Sequence, residues 1–302
     1  MESLGFRLRR AVRKFQWERI RGGPGRPPQI LTVPTANGLL SFSNMDVIIA
    51  KVLYVHRAWE VELMDRTMAY LRREGHLATP GRDVLIDAGA NIGMVCIGML
   101  RRGYFRSALA IEAAPDNAAL LERNIAQNDL GASIRAIACA LSDRNGELDV
   151  ELSADNFGDH RVRAAQASRP GRLGEDRRTT IRVPARTLDA IVEGNPPTDP
   201  ERIGLIWIDV QGHEGHLLEG ARRTLAGGAS VLTEFWPYGI ERSGLDRRAY
   251  VELVFSIFDR ALLVDAAAGR FEPLDAESLG GLFETATDPH RFREVLLLPR
   301  RR

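Results

Sequence analysis

Val84-Leu-Ile-Asp-Ala-Gly-Ala-Asn-Ile-Gly93 is the stretch that decides the fold. An apolar strand ends in the acid Asp87, passes into a turn bracketed by Gly89 and Gly93, and opens a helix. One strand–helix unit later, Ala108-Leu-Ala-Ile-Glu112 answers with a second apolar strand ending in another acid. This is the front half of a nucleotide-type α/β site, where ligands sit beyond the carboxyl ends of the strands. The turn misses the G-x-G-x-x-G dinucleotide fingerprint. A pyrophosphate asks for bare backbone N–H groups at the helix N-terminus, whereas Asp87 and Asn91 put a carboxylate and an amide into this turn. Such a turn repels phosphate and suits a cation. S-adenosylmethionine carries an amino-acid end, a sulfonium and a ribose but no phosphate, and fits this chemistry better than NAD does.

Working outward, strands and helices alternate from Arg82 onward, which argues for a mostly parallel sheet covered on both faces. The pattern predicts strands over 84–87, 108–112, 133–139, 203–208 and 229–234, with helices near 92–102, 116–128, 187–193, 214–226 and 246–258. Two late apolar runs, Ala261 to Val264 and Glu294 to Leu298, have no crossover-strength helix between them and read as an antiparallel pair. The expected fold is therefore α/β, with a seven-stranded, mostly parallel sheet and an antiparallel C-terminal pair, the architecture of class I (Rossmann-like) methyltransferases rather than of dehydrogenases. Residues 1–80 form an N-terminal basic segment and cap region, with a hairpin around 30–42 and a helical pattern over 58–74, and residues 81–302 form the main domain. Between Glu147 and Arg182 short alternating pieces flank a polar excursion, Asn156 to Arg178, of a length that is usually functional or disordered.

Composition narrows the class without naming it. With 44% hydrophobic and 27% charged residues over 302 positions, the chain is ordinary globular material, long enough for one large α/β domain and an appendage. A formal charge of +1 provides no global field for nucleic acid. Cys96 and Cys139 each sit in an apolar stretch and read as reduced thiols of a cytoplasmic protein. No apolar run is long enough to span a bilayer, and the first residues lack the apolar core and cleavage site of a secretory signal. Residues 7–26, however, hold eight Lys or Arg side chains, with Leu4, Leu8, Val12, Phe15 and Trp17 among or just before them at roughly helical spacing. Composition favours a solvated helix or arm packed on the domain; the alternative is an amphipathic helix at the inner face of the membrane, a peripheral contact through residues 1–26.

The strand ends supply the candidate site. Asp87, Gly89, Asn91 and Gly93 come from the first strand and its turn, and Glu112 from the second, where a carboxylate can accept from both ribose hydroxyls. Ser142, after the third strand, is a candidate for the adenine edge, although Ser-Asp before Asn145-Gly146 is also plain turn chemistry. The fourth strand and its loop, Ile206-Trp-Ile-Asp-Val-Gln-Gly-His-Glu-Gly-His216, crowd four ionisable groups where an acceptor would meet the methyl group. Methylating an alcohol requires loss of its proton, so a base is needed; His213 is the first candidate because it titrates nearest neutrality, with Asp209 and Glu214 beside it. Asp209, at the end of an apolar strand, is counted with the cofactor residues as well. His213 and His216 do not form H-E-x-x-H and have no clear third ligand, so no metal is expected. Glu234, ending the fifth strand, is a further candidate for the cleft, whereas Asn195-Pro-Pro-Thr198 precedes the fourth strand and is turn material.

Taken in order, these segments resemble the FkbM-type methyltransferases. The resemblance rests on Val84 to Gly93, Ile111-Glu-Ala-Ala-Pro115 with Arg123-Asn124, Ala140-Leu-Ser-Asp143, Thr187-Leu-Asp189, and Trp207 to Glu214 followed by Glu219-Gly-Ala221. Trp59-Glu60 and the helix behind it look like that family's approach to the sheet, and Asn156-Phe-Gly-Asp-His160 resembles its middle segment. It implies S-adenosylmethionine as donor and O-methylation of a hydroxyl on a sugar, glycolipid or natural product. Asp87, Gly89, Asn91 and Glu112 would then hold the cofactor, Asp209 and Glu214 would border the reaction centre, and the polar excursion would be an acceptor-binding lid. Gln211 stands where many members have Glu, and Ala114 where Glu is common before Pro. Two other readings compete: an NAD-linked oxidoreductase, disfavoured by the turn, and a non-catalytic cofactor-binding module, disfavoured by the intact ionisable groups after the fourth strand.

Overall fold

The strand expected over 84–87 runs from Val84 to Ala88, is buried along its whole length, and lies inside an eight-stranded sheet. A computed structural model describes residues 4–23, 25–77, 83–163, 171–195 and 202–300 of the chain. In chain order the strands are β1 (Ile30–Pro34), β2 (Leu39–Ser43), β3 (Val84–Ala88), β4 (Ser107–Glu112), β5 (Ile134–Ala138), β6 (Ala140–Leu141), β7 (Gly146–Leu152), β8 (Arg161–Val162), β9 (Thr179–Arg186), β10 (Ile203–Ile208), β11 (Ser230–Phe235), β12 (Phe258–Asp265), β13 (Arg270–Leu274) and β14 (Arg293–Pro299). The helices are α1 (Leu4–Ile20), α2 (Ile49–His56), α3 (Val61–Arg73), α4 (Met94–Arg101), α5 (Pro115–Gln127), α6 (Leu188–Gly194), α7 (Glu214–Glu219), α8 (Arg222–Ala226), α9 (Pro237–Arg242), α10 (Arg247–Ile257) and α11 (Ala276–Gly281).

The main sheet runs β13-β12-β14-β11-β10-β3-β4-β5. β11, β10, β3, β4 and β5 are mutually parallel, and β14 inserts antiparallel between β11 and β12. The expected antiparallel partnership of the two late runs is therefore present, but the later run is interior rather than at the edge. The sheet also has one strand more than the seven predicted. β13, antiparallel to β12, is an edge strand whose residues Arg270, Glu272 and Pro273 face solvent, so it carries no apolar run to announce it. The helix expected over 214–226 is interrupted instead between α7 and α8. There Gly220 packs on the Ser142 carbonyl so closely that a Cβ would lie 2.0 Å from that oxygen.

Beyond Cys139 the chain leaves the main sheet. β6, β9, β7 and β8 form a second sheet, with β7 and β9 paired antiparallel over seven residues. The polar excursion is thus anchored by strands at both ends, with residues 164–170 outside the described residues. Asn195 follows α6, and the rest of Asn195-Pro-Pro-Thr198 also lies outside them.

Among the described residues, the N-terminal elements share the core of the main sheet. Trp17, Phe42, Leu53 and Met64 join Leu85, Ile97 and Leu296 in one buried cluster. Buried amides fix the β1–β2 hairpin onto α5, because Asn124 Oδ1 accepts from Ser41 N at 2.7 Å and Asn128 Oδ1 from Leu39 N at 2.9 Å. Each of these bonds satisfies a backbone donor that burial would otherwise leave unpaired. Trp17 is fully buried and brings α1 against α2, where its ring lies 5.8 Å from that of Tyr54. Among the described residues, no helix is long and apolar enough to cross a membrane, and both cysteines are free and buried.

Candidate active site

A cavity of about 300 Å³ opens at the carboxyl ends of β3, β4 and β10, where the open-sheet rule places a ligand. Its floor is made by the turn after β3. Gly89 and Ala90 both donate to the Ile111 carbonyl at 2.9 Å, which folds the turn back over β4. Gly89 has φ +88°, and a Cβ there would lie 1.9 Å from the Asp209 carbonyl oxygen. Only glycine lets the loops after β3 and β10 approach this closely. Asp87 caps α4, accepting from Cys96 N at 2.9 Å. Burial, opposed by that bond, raises its carboxyl to about 6.

Glu112 is the most constrained acid on the wall. Oε2 accepts from Asn91 N and Oε1 from Ala114 N, both at 2.8 Å. Each oxygen keeps a further acceptor site while the carboxylate is held in one orientation. Burial is the largest influence on it and lifts it to about 7. The Asn91 side chain is committed to protein: Oδ1 accepts from Ile92 N, and Nδ2 donates to the Phe157 carbonyl at 3.1 Å. Asn117 Nδ2 donates to the same carbonyl at 2.9 Å, so the polar excursion hangs directly over the turn.

The opposite end of the cavity is acidic. Asp209 lines it, and Gln211, in a left-handed conformation at φ 51°, donates through Nε2 to Asp209 Oδ1 and, at 3.0 Å, to Glu234 Oε2. Glu294 lies opposite Glu234 in the β11–β14 register. Glu60 enters from the left-handed residue before α3 and also lines the cavity. Burial lifts Asp209 to about 6, while burial and then Asp209 push Glu60 to about 8 and Glu234 well above the carboxylate range. Glu60 is solvent-accessible yet strongly perturbed; dense protein around its carboxyl, with accessible surface bordering the cavity, accounts for both. A bound cation would bring these carboxyls back down. Trp59, Phe157 and Phe292 supply apolar walls. Arg161 also borders the cavity, but its guanidinium is spent on Asp159 and Glu175 and lies 4.7 Å over Trp236. Among the described residues, no group of His, Cys, Asp and Glu is arranged to hold a metal ion.

Of the residues read from sequence, Asp87, Gly89, Asn91, Glu112, Asp209 and His213 line the cavity together with Glu234, and Gly93, Ser142 and Glu214 do not. Gly93 is the left-handed residue before α4, with φ +92°, and its neighbours Leu121 and Ile97 leave no room for a side chain. Ser142 is turned toward the fourth-strand loop: its hydroxyl lies 3.0 Å from His213 Nε2 and 3.1 Å from Asp143 Oδ1. Glu214 is fully buried behind that loop, accepting from Gly212 N at 3.0 Å, and burial lifts it to about 7. His213 reaches the cavity, but burial and then neighbouring His216, stacked at 4.3 Å, lower it to about 3. An imidazole so depressed binds protons weakly, which weighs against His213 as the first base. Glu60 and Gln211 were absent from the sequence-derived site. The faint signal was Trp59-Glu60 before a helix without a capping side chain.

The sheet order and the acid-tipped strands around this cavity define a class I, Rossmann-like methyltransferase fold. Residues 87–251, more than half of the chain, match the Methyltransferase FkbM domain, and the chain belongs to that family. Methyltransferase sdnD of Sordaria araneosa is 28% identical over 158 residues, covering 47% of this chain and 61% of that protein. The 2-O-methyltransferase NoeI of Sinorhizobium fredii (strain NBRC 101917 / NGR234) is 28% identical over 178 residues, covering 57% of this chain and 70% of that one. The crystal structure of methyltransferase FkbM from Methylobacillus flagellatus KT aligns with a TM-score of 0.43 at 14% identity, covering 96% of this chain and 59% of that one. The chain thus spans about three fifths of the length of sdnD and of the M. flagellatus protein.

Proposed function

We propose that this chain is an S-adenosylmethionine-dependent O-methyltransferase acting on a hydroxyl of a polyhydroxylated acceptor: a sugar, glycolipid or natural product. The observation that carries the reading is Glu112, whose carboxylate is oriented by two backbone amides at the end of β4 and aimed at a cavity lined by further acids. That donor set fits a ribose and a cationic sulfur or ammonium group, and it disfavours the diphosphate of NAD. When bound, the cofactor supplies an electrophilic methyl group. Family membership and the 2-O-methyltransferase name of one relative support transfer to oxygen.

The chain's own residues divide the work by their environments. Asp209, raised only to about 6, is a carboxylate at neutral pH and takes the acceptor's hydroxyl proton. Glu60 and Glu234, whose carboxyls burial pushes higher still, flank it and hydrogen-bond the acceptor's oxygens. Gln211 fixes the spacing of Asp209 and Glu234. His213, held by Ser142, braces the loop that carries Asp209. Trp59 and Phe292 exclude water on the acceptor side.

Calorimetric titration with S-adenosylhomocysteine and NAD tests the cofactor. Binding of the first and silence with the second is expected, and the reverse overturns the proposal. Mass spectrometry of glycan and natural-product pools after incubation with donor then seeks a product heavier by one methylene.

A further inference from the structure

Helix α1 has two apolar edges. Trp17, fully buried, ties the helix to α2, with Gln16 Oε1 accepting from Tyr54 OH at 3.4 Å and Glu18 pairing with Lys51 at 4.0 Å. Residues 16 and 18 thus meet 54 and 51, so the two helices run antiparallel and the N-terminal half of α1 extends past the end of α2. The second edge lies opposite Trp17 by helical geometry: Leu8, Val12 and Phe15 follow the i, i+4, i+7 spacing of one face. They are 66%, 49% and 61% exposed, the three largest exposures among large apolar side chains of the described residues.

The charge around this stripe is one-sided. Between residues 7 and 21 stand seven Lys or Arg side chains and a single acid, Glu18, which is engaged by Arg21 at 2.8 Å. The Arg19 guanidinium lies 4.5 Å over the Phe15 ring, placing a cation in line with the stripe. A row of aliphatic and aromatic side chains bordered by cations is the pattern of a helix lying in the plane of an anionic bilayer, with its apolar face among the acyl chains. Nucleic acid would answer the charge alone and leave Leu8 and Val12 in water, since aliphatic side chains offer no stacking face.

We propose that the exposed face of α1 docks this protein on an anionic lipid surface, with Leu8, Val12 and Phe15 inserted between headgroups and the flanking arginines at phosphate level. Trp17 makes the anchor rigid, because the same helix is locked into the core. This docking is independent of the methyl-transfer reading.

The test uses the full chain in vesicle sedimentation, comparing phosphatidylglycerol mixed into phosphatidylcholine with phosphatidylcholine alone. Binding to the anionic vesicles is expected at low salt, with little binding to the neutral ones and marked loss at about 0.5 M salt. Leu8→Ser/Val12→Ser/Phe15→Ser together should weaken vesicle binding by about 10-fold or more while leaving the unfolding curve unchanged, since all three side chains already face water. Arg9→Gln/Lys14→Gln should flatten the salt dependence. No sedimentation with anionic vesicles at low salt overturns the proposal, as does binding that the triple serine variant leaves intact. So does an oligonucleotide shift without vesicle binding, or a self-association that the triple variant abolishes while vesicles remain unbound.

Discussion

Gln211 donates its side-chain amide to Glu234 Oε2 at 3.0 Å, and the same nitrogen also donates to Asp209 Oδ1. One neutral side chain thereby spans two carboxyls from adjacent strands, β10 and β11. Without it neither carboxyl would keep a fixed position against the cavity.

The base assignment follows from that arrangement. Asp209→Asn should lower kcat by about 10²–10⁴-fold while changing affinity for S-adenosylhomocysteine far less. The wild-type rate should fall on acidification at or below pH about 6, since the bound cationic donor lowers the carboxyl further and the base is lost on protonation, and the Asn variant should lack that limb. His213→Ala should cost much less and keep the limb. Single-turnover methylation across pH at saturating donor decides the matter, and an Asp209→Asn enzyme with the wild-type rate and profile excludes the carboxylate.

Glu112→Ala removes two acceptors that the ribose is expected to use, each charge-assisted bond worth about 1.5–3 kcal/mol. Affinity for S-adenosylhomocysteine should fall by about 10²-fold or more. The Asn91 and Ala114 amides lose their partner as well, so Glu112→Gln, which retains one acceptor, should be intermediate in both affinity and stability. Calorimetry showing equal affinity for wild type and Glu112→Ala would refute the ribose role.

Gly89→Ala puts a methyl group against the Asp209 carbonyl in a left-handed backbone conformation. Overpacking of about 1–3 kcal/mol and a left-handed penalty of about 1–2 kcal/mol both apply. Urea denaturation should show a loss of at least about 2 kcal/mol, and a neutral substitution would mean that the two loops part easily.

The buried acids also set the pH dependence of stability. Glu60 near 8, Glu112 and Glu214 near 7, and Asp87 near 6 all lie above their ordinary values. The folded protein therefore binds more protons than the unfolded chain across this range, and stability falls as pH rises through it. His160 and His213, kept neutral by burial at about 4 and about 3, oppose this only below the ordinary histidine value of 6.5 and are outnumbered. The ligand-free melting temperature should be higher at pH 6 than at pH 8, and a flat profile would show these carboxyls to be hydrated.

The parallel half of the sheet was legible because β3, β4, β10 and β11 are short apolar runs that carry an acid at or just beyond their carboxyl ends. Asp87, Glu112 and Asp209 were legible for the same reason: an acid that ends a buried strand has no packing role to explain it. β13 was not, since a solvent-facing edge strand needs no apolar pattern. Burial of Glu214 and the turning of Ser142 toward His213 depend on how the loop folds back, which local sequence does not specify. Glu60 is separated by more than twenty residues from the first strand and reaches the cavity only through the packing of α3.

Phe157 offers its backbone oxygen to two asparagines, one in the turn that faces the donor site and one on the helix behind it. Any displacement of that turn must therefore stretch or release the segment around Phe157 that lines the cavity. On the proposed function, donor binding in one half of the cavity and acceptor binding in the other would share one equilibrium, so each substrate should alter the affinity for its partner by the same factor. The two asparagine amides would then link the pair of substrates, although no side chain has to touch both.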